Sequence, residues 1–101
     1  MDKQAELQTL LEGLLGSRNV YYEPPSSLLM KYPAIRYSLS DIDSKYADNK
    51  AYSKRNRYEL IVIDHLPDNE VVQKILDLPL SSFDRRYKQD GLVHDVITLY
   101  F

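Results

Sequence analysis

The residue types able to do chemistry are few and poorly grouped. His65 follows Asp64 and His94 precedes Asp95. A histidine acting as general acid or base has to be poised against a nucleophile or a substrate. No Gly-x-Ser-x-Gly or similar nucleophile signature accompanies either one. Both are expected to cap strand ends or pair with the neighbouring aspartate. Asp41-x-Asp43 with Asp48 has the look of a hard-cation loop. A calcium loop of that kind needs an oxygen ligand, a glycine at the sharp turn and a distal glutamate, where Lys45, Tyr46 and Tyr52 stand. A solvated turn is expected instead. Gly13, Gly16 and Gly91 are the only glycines, so no phosphate-cradling loop is available. The chain has no cysteine, which removes disulfides, thiolate catalysis and cysteine-based metal sites. No catalytic residue, metal site or cofactor is expected.

Cations are better grouped. Lys54-Arg55-Asn56-Arg57 is one cluster, and Arg85-Arg86 with Lys88 is a second. Mixed with Tyr52, Tyr58 and Tyr87, they are of the types that bind single-stranded nucleic acid by stacking and charge. A formal net charge of −2 argues against bulk electrostatic capture. The other account is an ion-pair surface that meets acidic residues of a partner, or the aspartates of residues 41–48. Charges along a strand also discourage unwanted edge pairing. Tyrosine occurs nine times against two Phe and no Trp. Such a bias fits either protein interfaces or half-exposed sheet faces.

The elements that must position these residues follow from periodicity. Leu7, Leu10, Leu11, Leu14 and Leu15 fall on one face of a helix that Gly16 stops. Residues 19–23 predict a short strand ended by Pro24-Pro25, and residues 26–31 a turn or a single helical segment. From Pro33, Ile35, Tyr37 and Leu39 alternate with Arg36 and Ser38. Residues 41–51 are polar. Tyr58-Glu59-Leu60-Ile61-Val62-Ile63 gives the strongest strand signal, that of a central strand covered on both faces. The strands flanking the polar stretch predict a long hairpin whose tip projects as an arm of about five residues a side, roughly 16 Å. Asp68 is the predicted N-cap of a second helix carrying Val71, Val72, Ile75, Leu76 and Leu78, which Pro79 forbids to continue. Residues 81–89 predict a strand with Phe83, Arg85 and Tyr87 on one face, then a tight Asp90-Gly91 turn. A closing strand over 92–101 places Ile97, Leu99 and Phe101 together, with Phe101 expected to be packed and a neighbouring subunit as a candidate surface for it.

These elements amount to one α+β domain over residues 1–101. It is a mostly antiparallel sheet with two helices packed on it and one long projecting hairpin, the arm spanning about 41–51. A composition of 44% hydrophobic and 28% charged residues is that of a globular chain. No apolar run approaches the ~20 residues that cross a bilayer. Residues 1–4 lack the layout of a signal peptide, so synthesis and use in the cytosol, with no membrane association, is the expectation.

A series of short motifs carries a resemblance. They are Val20-Tyr21-Tyr22-Glu23-Pro24-Pro25, Lys31-Tyr32-Pro33-Ala34-Ile35, Ser40-Asp41-Ile42-Asp43 with Ala47-Asp48-Asn49, and Arg57-Tyr58-Glu59-Leu60. Ser82-Phe83-Asp84-Arg85 with Tyr87 and Gly91-Leu92-Val93-His94-Asp95 follow. In order and spacing, from Asn19 onward, the chain resembles the tail-terminator or tail-completion (tail-to-head joining) proteins of long-tailed bacteriophages. The resemblance implies a non-enzymatic virion protein, assembled in the host cytoplasm as a ring, usually a homohexamer. That ring caps the tail tube, joins it to the head connector proteins and lets DNA pass without sequence-specific binding. Interface residues follow architecture in this family, so none is carried over by motif. From the residues themselves, the candidate subunit interface is Asp41, Asp43, Lys45, Tyr46, Asp48 and Lys50 on the arm, Tyr52, Lys54, Arg55 and Arg57 just after it, and Phe101. The Tyr21, Tyr37, Tyr58 and Tyr100 set is expected to share in it.

Overall fold

The computed structural model describes residues 3–47 and 50–101, with side chains described over 3–40 and 56–101. In chain order the elements are α1 (Lys3–Leu15), β1 (Val20–Tyr22), β2 (Ala34–Ala47), β3 (Lys50–Asp64), α2 (Glu70–Leu76), β4 (Ser81–Gln89) and β5 (Leu92–Tyr100). The strands form one five-stranded sheet in the order β1-β2-β3-β5-β4. The β1–β2 pair is parallel and the other pairs are antiparallel. This is an α+β fold.

Alternation sorts the two faces. Val20, Ile35, Tyr37, Tyr58, Leu60, Val62, Ile97 and Leu99 are buried together beneath Leu7 and Leu11 of α1 and Val71 and Ile75 of α2. Ile61, Ile63 and Val96 form a smaller cluster on the opposite face, against Met30, Tyr32, Tyr87 and Leu92. Apolar residues on both faces of β3 explain its near-continuous run, since it lies mid-sheet with packing above and below.

α1 is tied to the sheet by more than leucines. The Tyr37 side chain is only 1% exposed, and a buried hydroxyl needs partners. The Gln4 amide donates to its oxygen at 2.7 Å, and the hydroxyl donates to Gln8 Oε1 at 2.6 Å. Gln8 in turn donates through Nε2 to the Val20 carbonyl at 2.9 Å. Residues four apart share a helix face, so both glutamines reach one phenol. Among the described residues, no buried side-chain nitrogen or oxygen lacks a partner.

One local expectation is corrected and two hold. The N-cap of α2 is Asn69, whose Oδ1 accepts from the Val71 N–H at 2.8 Å, and not Asp68. Asn69 is held by a second bond, its Nδ2 donating to Asp64 Oδ2 at 2.8 Å. Residues 26–31 contain a turn closed by Leu28 N–H to the Pro25 carbonyl, 3.0 Å, and no helix. The Asp90-Gly91 turn has positive φ at both residues, 54° and 75°, as a two-residue hairpin of matching twist requires.

The strands also run further than polarity suggested. β2 and β3 continue through the polar stretch, in register from Ala34↔Ile63 out to Ala47↔Lys50, with irregularities between Leu39 and Asp41 and between Lys45 and Tyr46. A polar sequence holds strand geometry here because each strand supplies the other's backbone partners.

Leu11 has no exposed surface and its neighbours are already packed. Leu11→Ala should cost about 2–5 kcal/mol in urea denaturation. A loss under 1 kcal/mol would show that α1 is not docked as described.

Candidate functional site

β1 pairs with β2 only over Val20↔Ile35 to Tyr22↔Tyr37, and β5 pairs with β3 only as far as Arg57↔Tyr100. One further backbone pair, Asn56 with Phe101 at 2.9 and 3.2 Å, closes that side. Among the described residues, Asp41–Ala47 of β2 pair with no strand but β3, and residues 50–55 of β3 pair with no strand but β2. At ~3.3 Å per residue, the β2 portion reaches roughly 20 Å past its last sheet neighbour.

The root of this arm is built by specific groups. Glu23, at φ 42°, turns the chain off the end of β1. Its N–H donates to the Tyr37 carbonyl at 2.8 Å, and its carboxylate accepts from the Leu39 N–H at 3.2 Å. The side chain thus continues for one more rung the pairing that the β1 backbone abandons. Across the hairpin, Ser40 Oγ donates to the Arg57 carbonyl at 2.8 Å, and Arg57 Nε donates to Ser40 Oγ at 3.2 Å. Ser40 sits at the register irregularity, where an added residue re-aims a strand. Beside it, Tyr22 stacks at a tilt on Tyr37, with centroids 4.8 Å apart. Burial, and then the bonded, negatively charged Glu23, push the Tyr22 phenol up to about 12.

The candidate interface residues divide accordingly. Asp41, Asp43, Lys45 and Tyr46 lie on β2, and Lys50, Tyr52, Lys54, Arg55 and Arg57 lie on β3. Asp48 lies outside the described residues. The register sets Asp41 opposite Arg57 and Asp43 opposite Arg55. Acidic and basic residue types therefore stand at paired positions of one hairpin. Phe101 follows β5 and packs half-buried against the main core.

The tyrosines do not form one shared face. Tyr37 and Tyr58 are buried under the helices, at 1% and 2% exposure. Tyr21 and Tyr100 pair in register with Arg36 and Arg57, on the other side of the sheet, and are half-buried. Tyr37 and Tyr58 are core residues of the single chain, which removes them from the expected contact.

The second basic cluster is also divided. A register irregularity between Phe83 and Arg85 breaks the alternation along β4. Phe83 pairs with Ile97 on the helix side, while Arg85 and Tyr87 pair with Val96 and His94 on the other. Phe83 therefore does not share a face with Arg85 and Tyr87 as simple alternation predicted. Arg86 instead aligns with Asp95, which is 2% exposed. Its Nε and Nη2 donate to the two carboxylate oxygens at 2.5 and 3.1 Å, and Nη2 also donates to the Pro67 carbonyl at 2.9 Å. The bond to Asp95 raises the Arg86 pKa further above its ordinary value. Arg85 pairs with exposed Asp84 at 2.6 Å and lies 5.9 Å from the Tyr87 ring centre.

His65 lies at a strand end, just past β3, as one of the two expectations had it, while His94 lies within β5 and neither ring pairs with an aspartate. Asp64 Oδ1 accepts from the His65 backbone N–H at 2.7 Å, while the His65 ring is exposed and edge-on to Tyr32. His94 stacks on Tyr87 at 4.7 Å, with Nδ1 3.1 Å from the Leu92 carbonyl. The His94 and Tyr87 rings border a cleft of about 350 Å³ beneath the 24–32 segment, where Pro24, Leu28, Met30 and Tyr32 line the apolar side.

No protein-family model matches the chain, and no curated protein matches it. No helix among the described residues is long and apolar enough to cross a membrane.

The two arginines should separate in mutagenesis. Arg86→Ala strands a buried carboxylate and should cost about 1–3 kcal/mol in urea denaturation, whereas Arg85→Ala should stay within about 0.5 kcal/mol. Equal losses would contradict the pairing. Tyr22 carries a pH signature. An unfolded phenol ionises near 10 and this one near about 12 in the fold, so its contribution is complete below pH 10 and is lost as pH rises toward 12. The parent should lose more stability than Tyr22→Phe across that interval, and parallel curves would remove Tyr22 as the source.

Proposed function

We propose that this protein is a structural subunit that works by assembly, a bacteriophage tail-terminator-like component that forms a ring at the head–tail junction of the virion. Its partners on this reading are copies of itself, usually six in a ring, the tail tube protein and the head connector proteins, with DNA passing through the centre. Two lines support it. The ordered motifs from Val20 to Asp95 resemble that family. The arm supplies what a closed ring requires, a surface that reaches past its own domain and differs from the surface it meets.

The observation that carries the proposal is the register. Asp41–Ala47 pair with no strand but β3, and residues 50–55 with no strand but β2, among the described residues. A hairpin of that length gains little from its own domain, since two strands alone are marginal in water. Its sequence is explained by a contact outside the chain.

The basic cluster fits this assignment better than nucleic-acid capture. Aspartates stand opposite Arg55 and Arg57 in register, which offsets the field that a phosphate backbone would meet.

Deleting Asp43–Lys50 should leave the helix-covered domain folded, with a thermal midpoint within a few degrees of the parent. It should abolish ring formation in sedimentation and tail joining in a phage complementation assay. Normal joining by the deletion variant would refute the arm's role. Tight DNA binding that weakens steeply with salt, with a slope lost in Arg55→Ala/Arg57→Ala, would replace assembly with nucleic-acid binding.

A further inference from the structure

A sheet edge is a row of unpaired N–H and C=O groups, and what stands along it decides whether another strand can add. β4 forms one outer edge and is guarded by the irregularity at Asp84 and by exposed Asp84, Arg85 and Lys88. β1 forms the other, is three residues long, and ends at Glu23 and two prolines that lack an N–H. The Glu23 carboxylate also occupies the next N–H of β2. Both ends of the sheet are closed to addition.

The arm is not closed in these ways. Asp41–Lys45 pairs with Ser53–Arg57 in unbroken register, and neither arm strand contains proline or glycine. Its charge is divided by strand. Residues 41–47 carry two carboxylates and one lysine, and residues 50–55 carry three cations and no anion. Each arm thus has one acidic flank and one basic flank, each with backbone groups directed away from the hairpin.

We propose that arms of adjacent copies join edge to edge, the β2 flank of one copy hydrogen-bonding to the β3 flank of the next. This rests on the assembly reading and specifies its contact. Within a hairpin the two strands are antiparallel, so adding a neighbour's β3 to β2 continues the same alternation. The backbone supplies the affinity, as in strand addition generally. Opposite charges select β2 against β3, because like flanks would set like charges across from each other. Each copy keeps one flank of each kind unused by the first contact, so the contact repeats and closes when the rotation permits.

The absence of native cysteine permits a direct test. Ser44→Cys and Ser53→Cys are made in separate full-length chains, which are mixed, allowed to assemble and oxidised. The expected product is the mixed 44–53 disulfide, in excess over 44–44 and 53–53 dimers. In a second arm, Asp41→Lys/Asp43→Lys and Lys54→Glu/Arg55→Glu should each weaken self-association by roughly tenfold or more, and mixing the two should restore it. The cysteine experiment does not depend on the charge-reversed chains folding. Assembled protein with only like-with-like disulfides, or with none, overturns the edge contact and leaves the assembly reading standing. A chain that sediments as a monomer at every concentration overturns both.

Discussion

Burial under the helices runs out at Leu39 and Tyr58, and that limit decides where the domain stops and the arm starts. On the domain side of that limit, Ile35, Tyr37, Tyr58, Leu60 and Val62 are buried under α1 and α2. One of them, Tyr37, brings a hydroxyl that two glutamines must satisfy. This bond pair fixes the position of α1 along the sheet, because sliding the helix by one turn would leave a phenol unpartnered in the core. From Asp41 to Arg57 β2 and β3 continue as a paired hairpin. The chain changes to polar residues while the backbone stays extended.

Two small irregularities serve opposite ends of the molecule. At Ser40 the register shift releases the hairpin from the sheet, with the Ser40 hydroxyl and Arg57 laced across it. At Asp84 the shift turns Arg86 toward Asp95 and leaves Arg85 and Tyr87 on the other side. The first makes an extension and the second protects an edge. Both insert a residue into a ladder, and both change what a neighbouring strand would meet.

Much of this was legible in the sequence. The leucine spacing of α1, the alternation of β5 and the Asp90-Gly91 turn are local patterns, and the structure follows them. The α+β class followed from the element order. What was not legible depends on a partner strand or a distant contact. A bulge exists only relative to the opposing strand, so the alternation of 81–89 placed Phe83 with Tyr87. Asn69 displaced Asp68 as the cap because Asp64 holds its amide, a contact spacing alone does not reveal. Gln4 and Gln8 are not part of the leucine pattern of α1, and only the position of Tyr37 gives them a role. The polar stretch read as the projecting tip of a long hairpin, and the pairing of Asp41 and Asp43 with Arg57 and Arg55 gives the register that the sequence left open.

The strand order has a consequence for synthesis. β5 is translated after β4 yet lies between β3 and β4. On the ribosome, the apolar run of β3 therefore waits with an open flank until β5 has emerged, and β4 has no place in the sheet before then. Pairings so distant in sequence form slowly, and an uncovered strand of that composition is prone to self-association meanwhile. A nascent chain of this topology gains from chaperone cover late in its production, and a premature stop before β5 exposes the most hydrophobic strand of the molecule.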